Sequence, residues 1–89
     1  MGKKSGLKDD TLEAIGISLA SAHGSLSGKT LFERVQRLFP KEAALLRKPG
    51  DMQPYLDCMV ETGDAHYSRR TYEITDQGEI TFEKVGSTI

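Results

Sequence analysis

Side chains able to do chemistry near neutral pH are few in this sequence. The chain has two histidines, His23 and His66, and one cysteine, Cys58. Acid–base catalysis by either histidine needs a nucleophile or a carboxylate held beside it, and no spacing in the chain proposes one. A metal needs several ligands converging, and residues 23, 58 and 66 include no local ligand pair. Cys58 lies at the edge of an apolar stripe and reads as a small, partly buried hydrophobe. The segment Gly24-Ser-Leu-Ser-Gly28-Lys29-Thr30 resembles a phosphate-binding loop, in which glycines at a helix start wrap phosphate with backbone N–H groups. Such a loop requires four residues between its glycines and this one has three, so the segment predicts an ordinary turn into a helix. The expectation is a protein that is not an enzyme and has no cofactor and no metal.

What remains is charge. Twelve Lys and Arg face 13 Asp and Glu, giving a net charge of −1 over 89 residues. The sign alternates along the chain. Residues 1–8 carry +3, 9–28 carry −3, 29–48 carry +4 and 49–89 carry −5. The basic block contains Arg34, Arg37 and Lys41 at spacings of three and four, with Lys29, Arg47 and Lys48 around them. It reads either as a solvated helix face or as an anion-binding strip. Arg69 and Arg70 are a second basic group.

These groups must be positioned by one small domain, because a chain this short has room for one core and no enclosed substrate chamber. The longest apolar stretch, Ile15 to Ala22, is interrupted by Gly16, Ser18 and Ser21, so no membrane span is expected. Met1-Gly-Lys-Lys is followed by Asp9-Asp10 where a secretory signal needs an apolar run. With a single Cys as well, a cytoplasmic setting is expected.

Residues 1–8 predict a flexible tail. A first helix starts at Asp9 or Asp10, with Asp10 and Glu13 spaced as a capping box, and turns Leu12, Ile15, Leu19 and Ala22 inward until Gly24 ends it. Ile17 falls off that face, where it would serve a homodimer contact. Ser25-Leu26-Ser27 is a short extended link. A second helix over about 28–39 points Leu31, Val35 and Leu38 inward, and Pro40 opens a short helix, KEAALLRK, or a turn over 41–48. Asp51 caps a helix over 51–62, with Pro54 in its first turn and Met52, Tyr55, Leu56, Met59 and Val60 as its apolar stripe; Gly63 closes it. TYEIT and EITFEKV alternate like strands around Asp76-Gln77-Gly78, which predicts a β-hairpin there and a tail over 87–89.

The fold expected is therefore α+β: a winged helix-turn-helix of three or four helices followed by a two-stranded hairpin wing, within one domain over 9–86. Three segments resemble PadR-like winged-helix transcriptional regulators. GSLSGKTLFERV resembles the lead into that family's second helix, PGDMQPYLDCMVETG its recognition helix, and RRTYEITDQGE its wing, with Tyr-x-Ile-Thr-x-x-Gly. The resemblance implies transcription regulation through double-stranded DNA. It places Gln53 toward the bases, where an amide can pair with adenine, and Arg69 and Arg70 on phosphate. Lys29, Arg34 and Arg37 complete the DNA-binding residues expected. The family adds a C-terminal helix that dimerises, whereas the alternation of ITFEKV predicts a strand. Asp51, Asp57 and Glu61 on the recognition helix support the alternative of a protein-interaction module that uses its acidic faces.

Overall fold

A computed structural model of the chain describes residues 9–22 and 24–87, and the side chains of 10–22 and 24–82. His23 and the tails expected at 1–8 and 88–89 lie outside the described residues. The elements follow the order α1 (Asp9–Ala20), β1 (Leu26–Ser27), α2 (Gly28–Leu38), α3 (Pro40–Ala43), a 3₁₀ turn (Pro49–Met52), α4 (Gln53–Thr62), β2 (Ala65–Ser68), β3 (Thr71–Ile74) and α5 (Asp76–Ser87). The described residues thus form an α+β fold with five α-helices and one three-stranded antiparallel sheet, in the order β1-β3-β2.

α1 is the central helix, packed against α2, α3, α4, α5 and β3. Surrounded this way, it buries Thr11, Ala14, Ile15, Ser18 and Leu19. The sequence displays one apolar face, but small Thr, Ala, Ser and Gly side chains let neighbours approach the others. Gly16 lies under the Phe82 ring of α5, where a Cβ would overlap the ring atoms. Ile17, expected at a dimer contact, is half-buried and packs on the core.

Ser27 starts α2 by accepting a hydrogen bond from the Thr30 backbone N–H at 3.2 Å, satisfying one of the free donors of the first turn. Leu31, Phe32 and Val35 are buried from α2, each apolar side chain of this kind contributing roughly 1.5–3 kcal/mol on burial. Leu38 is 44% exposed instead of inward, because Phe39 breaks the helix and is itself packed on the core. The short helix expected over 41–48 is one turn, Pro40–Ala43, followed by turns that bury Leu46.

The 3₁₀ turn replaces the expected first turn of helix 51–62. Asp51 does not cap α4; its Oδ2 accepts from the Arg47 backbone N–H at 2.9 Å and pins the preceding loop. Tyr55, Leu56, Cys58 and Met59 are buried from α4, while Val60 is 37% exposed. Gly63 ends α4 in the left-handed region at φ 90°, where its lack of a Cβ removes the steric penalty.

The hairpin is displaced from its expected position. Its strands are 65–68 and 71–74, Arg69-Arg70 is its turn, and residues 76–87 are α5. The topology supplies the reason: β3 is already paired with β1 on one side and β2 on the other, so it has no free edge for a strand after Gly78. Local chemistry then favours a helix. Thr75 accepts from the Gly78 backbone N–H at 3.0 Å, as an N-cap residue does, and donates to the Gly63 carbonyl at 2.6 Å. Gly78 lies so close to the Asp64 carbonyl that no Cβ fits. The Tyr-x-Ile-Thr-x-x-Gly pattern is therefore two buried strand residues, a helix cap and a close-packing glycine. Ser87, expected in a tail, is the last residue of α5.

Candidate nucleic-acid interface

One end of the sheet carries two adjacent cations, with a third beside it. Ser68 pairs with Thr71, leaving Arg69-Arg70 as a two-residue turn, and the Thr71 hydroxyl donates to the Ser68 carbonyl at 2.8 Å to close it. Both arginines have positive φ, 53° and 65°, as a type I′ hairpin requires and as Asn-Gly would adopt more readily. Both side chains are exposed. Ser27 of β1 also pairs with Thr71, so the chain leaves β1 at the hairpin's turn end and enters α2 there. Exposed Lys29 and the first backbone N–H groups of α2 thus lie at the end of the sheet that carries the two arginines. A helix N-terminus with a cation beside it attracts phosphate through partial positive charge and unshared donors.

The remaining expected DNA-binding residues are placed otherwise. Arg34 is half-buried and committed to α1: its Nε donates to the Ser18 carbonyl at 2.9 Å and its Nη2 to Ser21 Oγ at 3.0 Å. It satisfies a carbonyl in the last turn of that helix and complements the negative end of its dipole. Arg37 is exposed but lies in the last turn of α2, about 12 Å along the helix axis from Lys29. Gln53 is exposed at the start of α4, and its Nε2 donates to Asp57 Oδ1 at 2.8 Å and to Tyr72 Oη at 3.1 Å. Both amide hydrogens are thereby used, whereas pairing with adenine requires one to be free for N7.

Between α4 and the hairpin runs a groove lined by Gln53, Asp57, Val60, Glu61, Tyr67 and Tyr72. Tyr67 and Tyr72 are cross-strand partners with ring centroids 4.7 Å apart and planes inclined at 44°. Tyr72 is buried and Tyr67 is 48% exposed. Asp57 and Glu61, one helical turn apart, put two carboxylates on the rim. The other sheet surface near the turn carries a polar depression formed by Ser25, His66, Ser68, Arg69, Thr71 and Glu73. The sequence reading missed both features, since they depend on the register that sets Tyr67 opposite Tyr72 and His66 opposite Glu73. Alternation within Ala65-His-Tyr-Ser is the one local signal, and four residues are too few to reveal it.

Among the described residues no group of three or more His, Cys, Asp or Glu side chains is placed to hold a metal ion, and no helix is long and apolar enough to cross a membrane. Compared with protein-family models, with curated proteins and with solved structures, the chain matches none.

Proposed function

We propose that this chain is a winged-helix DNA-binding domain of the kind found in PadR-like transcriptional regulators, and that it grips the phosphate backbone through Arg69, Arg70, Lys29 and the N-terminus of α2. The observation that carries this reading is the hairpin turn. Two consecutive exposed arginines are held at positive φ in the turn of the hairpin. Non-glycine residues in that region cost about 1 kcal/mol or more each, and such strain concentrates at functional sites. The element order α1-β1-α2-α3-α4-β2-β3, with a 3₁₀ turn between α3 and α4 and a further helix after the sheet, supports the winged-helix assignment. In that assignment α4 is the recognition helix and the 65–74 hairpin is the wing.

Phosphate contacts position a protein on DNA without reading sequence. Gln53 reads a base only if it exchanges its bonds to Asp57 and Tyr72, and Arg34 serves packing. Three phosphate contacts predict that the logarithm of the binding constant falls with that of salt with a slope of about −2.7, about a 40-fold loss between 50 and 200 mM. Titrating a short duplex at low salt while following backbone amide NMR shifts tests the reading. Shifts are expected at Lys29, Arg69 and Arg70; their absence at saturating duplex would remove DNA as the partner. The acidic α4 rim favours a second reading, a protein-interaction module, which predicts no duplex binding at any salt concentration.

A further inference from the structure

We propose that the groove between α4 and the hairpin receives the α2–α3 corner of a second copy of this chain, joining molecules head to tail. The groove combines exposed apolar surface from Val60 and Tyr67, 37% and 48% accessible, with the carboxylates of Asp57 and Glu61 on its rim. Those carboxylates make it a poor seat for a nucleic-acid backbone and a good one for an apolar group flanked by cations. The α2–α3 corner has that composition. Leu38 is 44% exposed there, between the exposed cations Arg37 and Lys41, and Leu45, just past α3, is 56% exposed. No other stretch of the described chain leaves two large aliphatic side chains so open beside cations.

The two surfaces share no residue. One belongs to the basic block, 29–48, and the other to the block that follows, which carries −5. A contact between unlike patches is heterologous: the pair keeps one free patch of each kind, and association continues beyond a pair unless a ring closes. It leaves Lys29, Arg69 and Arg70 uncovered but occupies the α4 face next to Gln53, so head-to-tail association would compete with base reading by α4, and its test is made without DNA.

Sedimentation velocity on two charge-reversed variants tests the contact. Arg37→Glu with Lys41→Glu spoils the corner and keeps the groove, whereas Asp57→Lys with Glu61→Lys spoils the groove and keeps the corner. All four positions are exposed, so both variants should give native amide NMR spectra away from the changes. The unaltered chain is expected to self-associate with increasing concentration at low salt, and less at high salt. Each variant alone should associate at least about tenfold more weakly, since like charges are opposed at the contact. Mixed together, they should associate again as alternating chains, because the intact corner meets the intact groove and the reversed corner meets the reversed groove, with opposite charges facing each other at both contacts. A chain that stays monomeric at every concentration overturns the proposal. So does a mixture that fails to pair, which would indicate an isologous dimer through some other face.

Discussion

Replacing Arg69-Arg70 by Asn-Gly separates what this turn does for binding from what it does for folding. The strand pairing of Ser68 with Thr71 fixes a two-residue loop, and both of its residues lie at positive φ. Glycine at the second position relieves about 1–2 kcal/mol and asparagine, which tolerates the left-handed region, relieves part of the cost at the first, while the greater unfolded-state freedom of glycine takes back about 0.5–1 kcal/mol. A net gain of about 1 kcal/mol raises the Tm of a domain this size by about 4–8 °C. The same substitution removes two cations from the proposed phosphate contacts, which should flatten the salt slope of duplex binding by about 1.8. The assay pairs thermal unfolding followed by circular dichroism with fluorescence anisotropy of a labelled duplex over a salt series. The variant should thus be the more stable protein and the weaker binder. An unchanged or lowered Tm would refute the account of the turn as strained. A raised Tm with an unaltered salt slope would refute the assignment of the arginines to phosphate.

Lys29→Ala should reduce the salt slope of duplex binding by about one without changing thermal stability, and an unchanged slope would detach α2 from the interface. Arg34→Met should leave the slope alone but destabilise the fold by about 1–3 kcal/mol in urea unfolding, because it strips a charged donor from the Ser18 carbonyl. Gly78→Ala should cost about 2–3 kcal/mol or more, as its methyl group would be driven into the Asp64 carbonyl; a neutral result in urea would mean that α5 packs elsewhere. Thr75→Val should cost about 1–2 kcal/mol by removing the cap of α5 and the bond to the Gly63 carbonyl, with hydrogen exchange accelerated first in α5.

The helices were legible wherever an apolar face recurred at helical spacing. Ile15 and Leu19 in α1, Leu31 and Val35 in α2, and Tyr55, Leu56 and Met59 in α4 are all buried where their periodicity places them. Gly63 ends α4 for the local reason its type suggests. Leu38 and Val60 obey the same periodicity yet stay accessible, because a position on an apolar stripe is buried only where a neighbour covers it. Charge was less legible than apolar pattern. Arg34, Arg37 and Lys41 share a spacing but not a role: Arg34 bonds to α1, sixteen residues earlier at Ser18, and no window along the sequence contains that partner. Gln53 is likewise held by Tyr72, nineteen residues on, which changes what its amide has left to offer.

The segment after Ile74 marks the boundary between what sequence and structure each determine. By itself, the sequence determined a small α+β chain of amphipathic helices, a short extended link before the second helix, and the basic and acidic blocks. These follow from short-range rules: side-chain periodicity, capping and backbone preference. The alternation of Glu79 to Val85 satisfies those rules as a strand, and the segment is nevertheless a helix. Only the tertiary structure decided this, because β1 and β2 occupy both edges of β3 while Thr75 and Gly78 dock α5 against Gly63 and Asp64. The same change of pairing moved the hairpin turn from acidic Asp76-Gln77-Gly78 to Arg69-Arg70. A shift in strand partners, invisible to local pattern, thereby exchanged an acidic tip for a basic one.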